Sequence, residues 1–100
     1  MKVHTQSLNF NASSDLLNYI QKKVASLSKF HHKILNAEVH LKIANSNSKE
    51  NKIAEVKINV PRKEFVVKKR FKSFEEGISI AVESLKRRLK KSKQKPFIKS

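Results

Sequence analysis

Two spacings of apolar residues alternate along this chain of 100 residues and predict two helices and four strands. An apolar residue at every third or fourth position indicates a first helix from Ser14 to Lys29: Leu16, Ile20, Val24 and Leu27. Ser13 or Ser14 can accept a hydrogen bond from a free backbone N–H at its start, and Asp15 suits the positive end of the helix dipole. The preceding residues predict a first strand from Lys2 to Ser7, with a looser continuation to Phe10.

Alternation of apolar and polar residues predicts three further strands. The second and third strands present two apolar series on one side: Ala37, Val39, Leu41 and Ile43, then Ala54, Val56, Ile58 and Val60. The polar stretch 45–51 between them is typical of a hairpin loop. Proline cannot donate to a strand ladder, so Pro61 ends the third strand and opens the turn Pro61-Arg62-Lys63. A fourth strand follows from Glu64 to Phe71, with Phe65, Val67 and Phe71 on one face.

A capping box, Ser73-x-x-Glu76, begins the second helix. Its apolar positions again recur at steps of three and four: Phe74, Ile78, Val82, Leu85 and Leu89. We predict that it ends near Gln94, because Pro96 disfavours helix at the residue before it. Gly77 costs a helix interior about 1 kcal/mol relative to alanine, so we expect a close approach there to the first helix or to the sheet.

The element order β-α-β-β-β-α predicts an α+β fold with a four-stranded sheet. A helix joins the first two strands, which should therefore be parallel with a right-handed crossover, and the last three should form an antiparallel meander. Each helix has a single apolar stripe, so both pack on one face of the sheet. The other face should meet water and carries Glu38, His40, Lys42, Glu55 and Lys57. We expect residues 1–95 to form a single domain and residues 96–100 a short flexible tail.

The charge of the chain is strongly positive and unevenly distributed. Lys and Arg number 23 against 8 Asp and Glu, which gives a formal net charge of +15. Residues 1–50 hold 7 Lys and 3 acidic residues, whereas residues 51–100 hold 16 Lys and Arg and 5 acidic residues. No acidic residue follows Ser84, although eight basic ones do. A field of this sign attracts phosphate, so the pattern favours a polyanion as the partner.

Several function classes are excluded by what the composition lacks. The chain has no cysteine and one glycine, which removes disulfide frameworks, thiolate sites and glycine-rich nucleotide loops. The eight carboxylates fall in caps, loops and solvent-facing strand positions, so we expect no enzyme, no cofactor and no small-molecule substrate. His4 and His40 lack a third ligand of defined spacing, so we expect no metal. Without a long apolar run or an export signal, the prediction is a cytoplasmic protein with no membrane partner.

The candidate RNA contacts form three groups. The second helix carries a basic stripe opposite its core face, Lys86, Arg87, Lys90 and Lys91, with Arg88 and Lys93 beside it. We expect no glutamate four positions away to neutralise this stripe. The fourth strand and its exit carry Lys68, Arg70 and Lys72. Lys69 falls on the apolar side of that strand and should lie at the sheet margin. Charge that protects an edge strand from association explains this second group equally well.

The third group lies on and after the first helix. Lys22, Lys23 and Lys29 flank its apolar stripe, and His31 and Lys33 follow. A protonated imidazole would add to a phosphate-binding surface, although a plain solvated loop is the better explanation of each histidine taken singly. The predicted RNA-binding residues are therefore Lys22, Lys23, Lys29, His31, Lys33, Lys68, Arg70, Lys72, Lys86, Arg87, Arg88, Lys90, Lys91 and Lys93.

Three segments resemble the ribosome hibernation-promoting factor family, also called ribosome-associated inhibitor or sigma-54 modulation proteins. They are Ser13…Leu16…Tyr19-Ile20…Lys23, then Val56-x-Ile58-x-Val60-Pro61, and the closing run from Ile78 to Lys93. Many members have an Asp followed by a small residue or Met at the positions where this chain has Ser73 and Phe74. Many members alternate Ala with Glu where this chain has Lys68-Lys69-Arg70. Ser84 replaces a common lysine, and Arg88 stands where a polar neutral residue is usual. It resembles the short form, which ends after the second helix.

The resemblance implies a factor that binds the small ribosomal subunit, touching 16S rRNA and neighbouring ribosomal proteins, in the channel for messenger and transfer RNA. It would inhibit translation in slow-growing, stressed or stationary-phase cells, and be a monomer away from the ribosome. One alternative is a general binder of double-stranded RNA, since that domain has a similar core. Its basic signature begins the last helix, however, where this chain has Glu75 and Glu76. A protein-interaction module is a third class, for which Phe97 and Ile98 are the candidate apolar patch.

Overall fold

A computed structural model describes residues 2–8, 10–31, 33–44, 47 and 49–94, without the side chains of 92–94. The strands are β1 (Lys2–Leu8), β2 (Asn36–Ile43), β3 (Lys52–Val60) and β4 (Lys63–Phe71). The helices are α1 (Ser14–Ala25), continued by a 3₁₀ turn (Ser26–Lys29), and α2 (Phe74–Gln94). The predicted order of elements is confirmed. The tail predicted for 96–100 lies outside the described residues.

The four strands form one sheet in the order β1-β2-β3-β4. β1 pairs with β2 in parallel, and β3 pairs antiparallel with both β2 and β4. The register aligns the apolar series, so that Val56 lies between Val39 and Val67. The predicted parallel pair and antiparallel meander are therefore confirmed.

Both helices cover the same face of this sheet, which makes the α+β prediction correct. The most deeply buried side chains come from both helices, the 3₁₀ turn and the two central strands: Ile20, Val24, Leu27, Val39, Ile58, Ile78, Leu85 and Leu89. Alternate strand positions are buried in β2 and β3, as period two requires. The opposite face carries the mixed charges predicted for it, and we call it the open face.

The first helix is shorter than the prediction from Ser14 to Lys29, because its last turn tightens to 3₁₀ geometry after Ala25. The Ser26 hydroxyl donates to the Lys23 carbonyl at 2.6 Å, and the Ser28 hydroxyl donates to the Ala25 carbonyl at 2.9 Å. Serine hydroxyls compete with the helical ladder in this way. The periodic placement of Leu27 still buries it, so the apolar pattern alone could not locate this boundary.

Both predicted helix caps are present. The Leu16 N–H donates to the Ser13 hydroxyl at 3.1 Å, and the Glu76 N–H donates to the Ser73 hydroxyl at 3.2 Å. Each bond satisfies a backbone donor that the first helical turn leaves without an intrahelical partner. The caps therefore fix the residues at which α1 and α2 begin.

A two-residue turn, Pro61-Arg62, joins β3 to β4, with Val60 opposite Lys63 as its closing pair. Arg62 has φ of 70°, in the left-handed region that side chains with a β-carbon rarely adopt. Proline followed by a residue of positive φ is the type II pattern, in which glycine or asparagine usually takes the second position. The turn predicted from Pro61 is confirmed, and an arginine occupies its strained position.

Candidate nucleic-acid interface

The basic stripe of α2 lies on the side away from the core, as predicted. Leu85 and Leu89 are fully buried, while Arg87, Lys90 and Lys91 are exposed. Lys86 lies at the margin of the stripe, and its side chain is 32% exposed. Lys93 falls on the helical backbone, but its side chain lies outside the described part of the chain. The last turns of α2 therefore present a row of cations to solvent.

Phe30, directly after the 3₁₀ turn, joins this stripe to the first helix. The Lys86 Nζ lies 5.0 Å from the centre of its ring, and the Lys90 Nζ lies 5.3 Å away. These are cation–π distances, so the aromatic ring holds two ammonium groups near one another. Lys29 and His31 flank Phe30 in sequence, so these two members of the predicted third group lie near the later turns of α2.

The cations of α1 lie next to Tyr19, which contacts the first turn of α2. Lys22 and Lys23 are exposed, and the Lys23 Nζ lies 5.9 Å from the centre of the Tyr19 ring. The Tyr19 hydroxyl donates to the Glu75 carbonyl at 3.4 Å, which ties α1 to the first turn of α2. We call the combined surface the helical basic face: Lys22, Lys23, Lys29, Lys33, Lys86, Arg87, Lys90 and Lys91.

One acidic residue reaches the stripe, contrary to the expectation that it would have no neutralising partner. The Glu83 carboxylate lies 4.0 Å from the Lys86 Nζ, one helical turn before it. The run without acidic residues begins only at Ser84, and a helix brings residues three positions apart together. Such exposed pairs stabilise a protein little. Glu83 nevertheless offsets part of the positive field at Lys86, the stripe residue that it approaches.

Arg88 has a different role from the residues around it. Its Nη1 donates to the Val66 carbonyl of β4 at 3.0 Å. Counting from the closing pair of the turn, Val66 falls in a non-hydrogen-bonded pair with Lys57, so its carbonyl points away from β3. Arg88 therefore satisfies a backbone acceptor on the outer edge of the sheet. This bond turns the guanidinium toward β4 and away from the helical basic face.

The second predicted group is split between two surfaces. Lys68 lies opposite Glu55 and Arg70 opposite Ile53, both on the open face. Lys69 lies opposite the buried Ala54 yet is exposed, which confirms its place at the sheet margin. Lys72 follows the strand and is exposed. Strand alternation thus separates Lys68 and Arg70 from the helical basic face, and one flat partner cannot cover both surfaces.

Of the two histidines of the open face, His40 lies near a carboxylate. His4 lies opposite Glu38, and His40 lies opposite Gln6. The His40 Nε2 lies 3.7 Å from the Glu38 Oε1, and the Lys57 Nζ lies 4.0 Å from the same oxygen. Within the described ranges, no three His, Asp or Glu side chains lie close enough to hold a metal ion.

Comparison with known proteins identifies the family and the fold of this chain. Residues 3–96 match the family model described as sigma 54 modulation protein / S30EA ribosomal protein. The chain belongs to this family. The S30EA fold is also that of the Thermus thermophilus Protein Y N-terminal domain, at a TM-score of 0.77 and 23% identity over 91% of this chain and 98% of that one. A ribosomal subunit interface protein from Coxiella burnetii gives a TM-score of 0.81 and 18% identity over 95% and 100%.

Membership of the S30EA family makes this protein a ribosome-associated factor, a non-catalytic kind of protein. The resemblance drawn from the sequence is therefore confirmed. A comparison with curated protein sequences gave no match. Across the described residues, no helix is both long enough and apolar enough to cross a membrane.

Two basic residues of this S30EA protein were missed by the sequence prediction. Arg62 and Lys63, at the β3–β4 turn, line an open groove together with His31 and Lys33 from the connection before β2. The signal was a pair of basic residues directly after a strand-ending proline. That pattern indicates a turn, and nothing in the sequence places this turn beside His31 and Lys33.

Proposed function

We propose that this S30EA protein binds the small ribosomal subunit through its helical basic face and occupies the channel for messenger and transfer RNA. It thereby inhibits translation in slow-growing or stressed cells. The observation that supports this most strongly is the convergence of α1, the 3₁₀ turn and α2 at Phe30. There the Phe30 ring contacts Lys86 and Lys90 of α2, and the neighbouring Lys29 belongs to the 3₁₀ turn, so cations from two elements lie together on this small domain.

The chemistry of this surface suits an RNA backbone. Arginine offers planar pairs of donors to phosphate oxygens, and lysine offers mobile point charges. The exposed cations lie on helices and turns with fixed caps, so their spacing is set by the fold before RNA binds. Contacts to phosphate and sugar position a protein without reading sequence, which suits docking against folded rRNA.

The start of α2 favours the ribosome over RNA duplexes in general. A double-stranded-RNA-binding domain carries basic residues there, whereas this chain has the exposed Glu75 and Glu76. Carboxylates at this point stabilise the helix N-terminus and repel phosphate. RNA is thus directed to the far end of α2 and to the 3₁₀ turn and Phe30 beside it.

The partners we propose are the rRNA of the small subunit and ribosomal proteins beside it, in the cytoplasm. Away from the ribosome the protein is a monomer. Arg88 supports this, because its bond to the Val66 carbonyl occupies an acceptor on the β4 edge that a second chain could otherwise pair with.

Co-sedimentation with purified ribosomal subunits tests this proposal. We expect the protein to pellet with small subunits and not with large ones, and to be displaced by messenger RNA with initiator transfer RNA. It should inhibit translation in a cell-free system at stoichiometric amounts. Equal binding to both subunits and to an unrelated RNA duplex would contradict the proposal and favour the general RNA binder.

A further inference from the structure

A groove of about 510 Å³ lies at one end of the sheet, apart from the exposed stripe of α2. On one side it is bounded by His31 and Lys33, and on the other by the β3–β4 turn. Val60 and Pro61 contribute apolar surface, while Arg62 and Lys63 bring two further cations. We call this the end groove. None of the six described residues that line it is acidic.

The donors of the end groove are oriented by local contacts. The Lys33 backbone N–H donates to the His31 Nδ1 at 3.1 Å. A neutral His31 ring therefore carries its hydrogen on Nε2, and that nitrogen is a donor. The Lys63 Nζ lies 4.9 Å from the centre of the Phe65 ring, which keeps this ammonium on the helix side of β4. Each contact fixes a donor-bearing group without neutralising a positive charge.

The backbone of Arg62 gives an independent indication that its side chain has a role. At φ of 70° a residue with a β-carbon is strained, and glycine would fit this turn without cost. Backbone strain of this kind is concentrated at functional sites, so it favours a role for Arg62 beyond the turn itself. Arg62 lines the end groove, which has the cationic walls that a bound anion requires.

We propose that the end groove binds a phosphate group, held by Arg62, Lys33 and Lys63. Guanidinium and ammonium groups with no carboxylate among them select a compact oxyanion. The phosphate belongs either to a terminal monoester or to a diester within an RNA strand. This inference concerns the free protein, so it holds whether or not the ribosome is the partner.

Titration of ¹⁵N-labelled protein with inorganic phosphate, at constant pH and ionic strength, tests the groove directly. We expect saturable amide shifts at residues 31, 33, 62 and 63, and weaker ones along the exposed stripe of α2. Arg62→Gly relieves the strained turn, so the variant should keep or raise the thermal midpoint while its phosphate affinity falls about fivefold, the upper range for an exposed ion pair. Arg62→Asn tests the same loss with a second residue that tolerates positive φ.

Lys42→Ala is the matched control, because it removes one positive charge from the open face and should leave phosphate binding unchanged. Equal shifts at all Lys and Arg residues, or equal affinity losses in Arg62→Gly and Lys42→Ala, would overturn the proposal. Short single-stranded RNAs with a 5′-phosphate or a 5′-hydroxyl then identify the source of the phosphate. An effect of Arg62→Gly on both RNAs indicates a diester, and an effect on the phosphorylated RNA alone indicates a monoester.

Co-sedimentation with small subunits separates this inference from the proposed function. A groove that binds phosphate in a protein that does not pellet with subunits leaves the inference standing and removes the ribosome proposal. A protein that pellets with subunits but shows no Arg62-dependent phosphate binding overturns the inference and leaves the ribosome proposal standing.

Discussion

The ring of Phe71, at the end of β4, packs directly against Gly77 in the first turns of α2. A β-carbon at position 77 would lie 2.8 Å from the Cγ and 3.0 Å from the Cε2 of that ring. Phe71 is itself buried, so the ring has little room to move away. The close approach expected from a glycine inside a helix is therefore to a side chain of the sheet, and it sets how near α2 lies to β4.

Gly77→Ala should destabilise the protein although alanine is the better helix former. Alanine gains about 1 kcal/mol in helix propensity, while overpacking a core costs about 1–3 kcal/mol. Urea unfolding of the variant measures the net loss. Adding Phe71→Leu should recover part of it, because the smaller side chain vacates the contact. A variant more stable than the parent would contradict this prediction, because it would show that the Phe71 ring moves away from position 77 without cost.

Arg88→Lys should lower stability although the charge is kept. The lysine ammonium does not reproduce the guanidinium bond to the Val66 carbonyl, so the loss should be about 0.5–1.5 kcal/mol, the usual net value of a hydrogen bond. Arg87→Lys, one residue earlier and exposed, is the control and should change stability by less than about 0.5 kcal/mol. Equal thermal midpoints for the two variants would contradict the edge role of Arg88.

The sequence was sufficient for the fold because each element carries its own signal. Apolar periodicity located both helices and all four strands, and the serine caps marked the helix starts at Ser13 and Ser73. The end of α1 was missed, since a serine hydroxyl that bonds back to the chain leaves the apolar period unchanged.

The candidate site was predicted less completely, because its members meet across the fold. Periodicity gives the face of each helix, but it does not show that Phe30 lies beneath two lysines of α2 or that Arg88 reaches Val66. Arg62 and His31 share a groove only because β3 returns to the start of β2. Contacts of this kind depend on strand register and helix packing, which a single sequence does not specify.

Phe30→Leu should weaken binding to small subunits without changing the net charge. A cation–π contact at an exposed site is worth about 0.5–1 kcal/mol, so loss of the ordered Lys86 and Lys90 should lower affinity about two- to fivefold per contact. Phe30→Tyr keeps the ring and should restore the affinity. A filter-binding assay on purified subunits measures both variants. Unchanged affinity in Phe30→Leu would mean that the ring does not position the two lysines for RNA.

The affinity for small subunits should depend steeply on salt. Seven exposed cations of the helical basic face are available to phosphates: Lys22, Lys23, Lys29, Lys33, Arg87, Lys90 and Lys91. For about 6–10 phosphate contacts, affinity falls on the order of 10³–10⁵-fold between 50 and 200 mM monovalent salt. Equilibrium binding at several salt concentrations gives the slope. An affinity nearly independent of salt would indicate that protein–protein contacts dominate.

The central claim is that the helical basic face, and not the total charge, directs the protein to the small subunit. Two triple variants test it with the same charge change. The first reverses Arg87, Lys90 and Lys91 to glutamate on the exposed side of α2. The second reverses Lys2, Lys42 and Lys49, which are exposed on the open face and in the β2–β3 loop. Circular dichroism should show native helicity in both, since neither set belongs to the core.

The deciding measurement is the affinity of both triple variants for intact small subunits at one salt concentration. We expect reversal of Arg87, Lys90 and Lys91 to abolish binding, while reversal of Lys2, Lys42 and Lys49 lowers the affinity modestly through the long-range field. Equal losses in the two variants would contradict oriented docking and leave a protein that binds polyanions by charge alone.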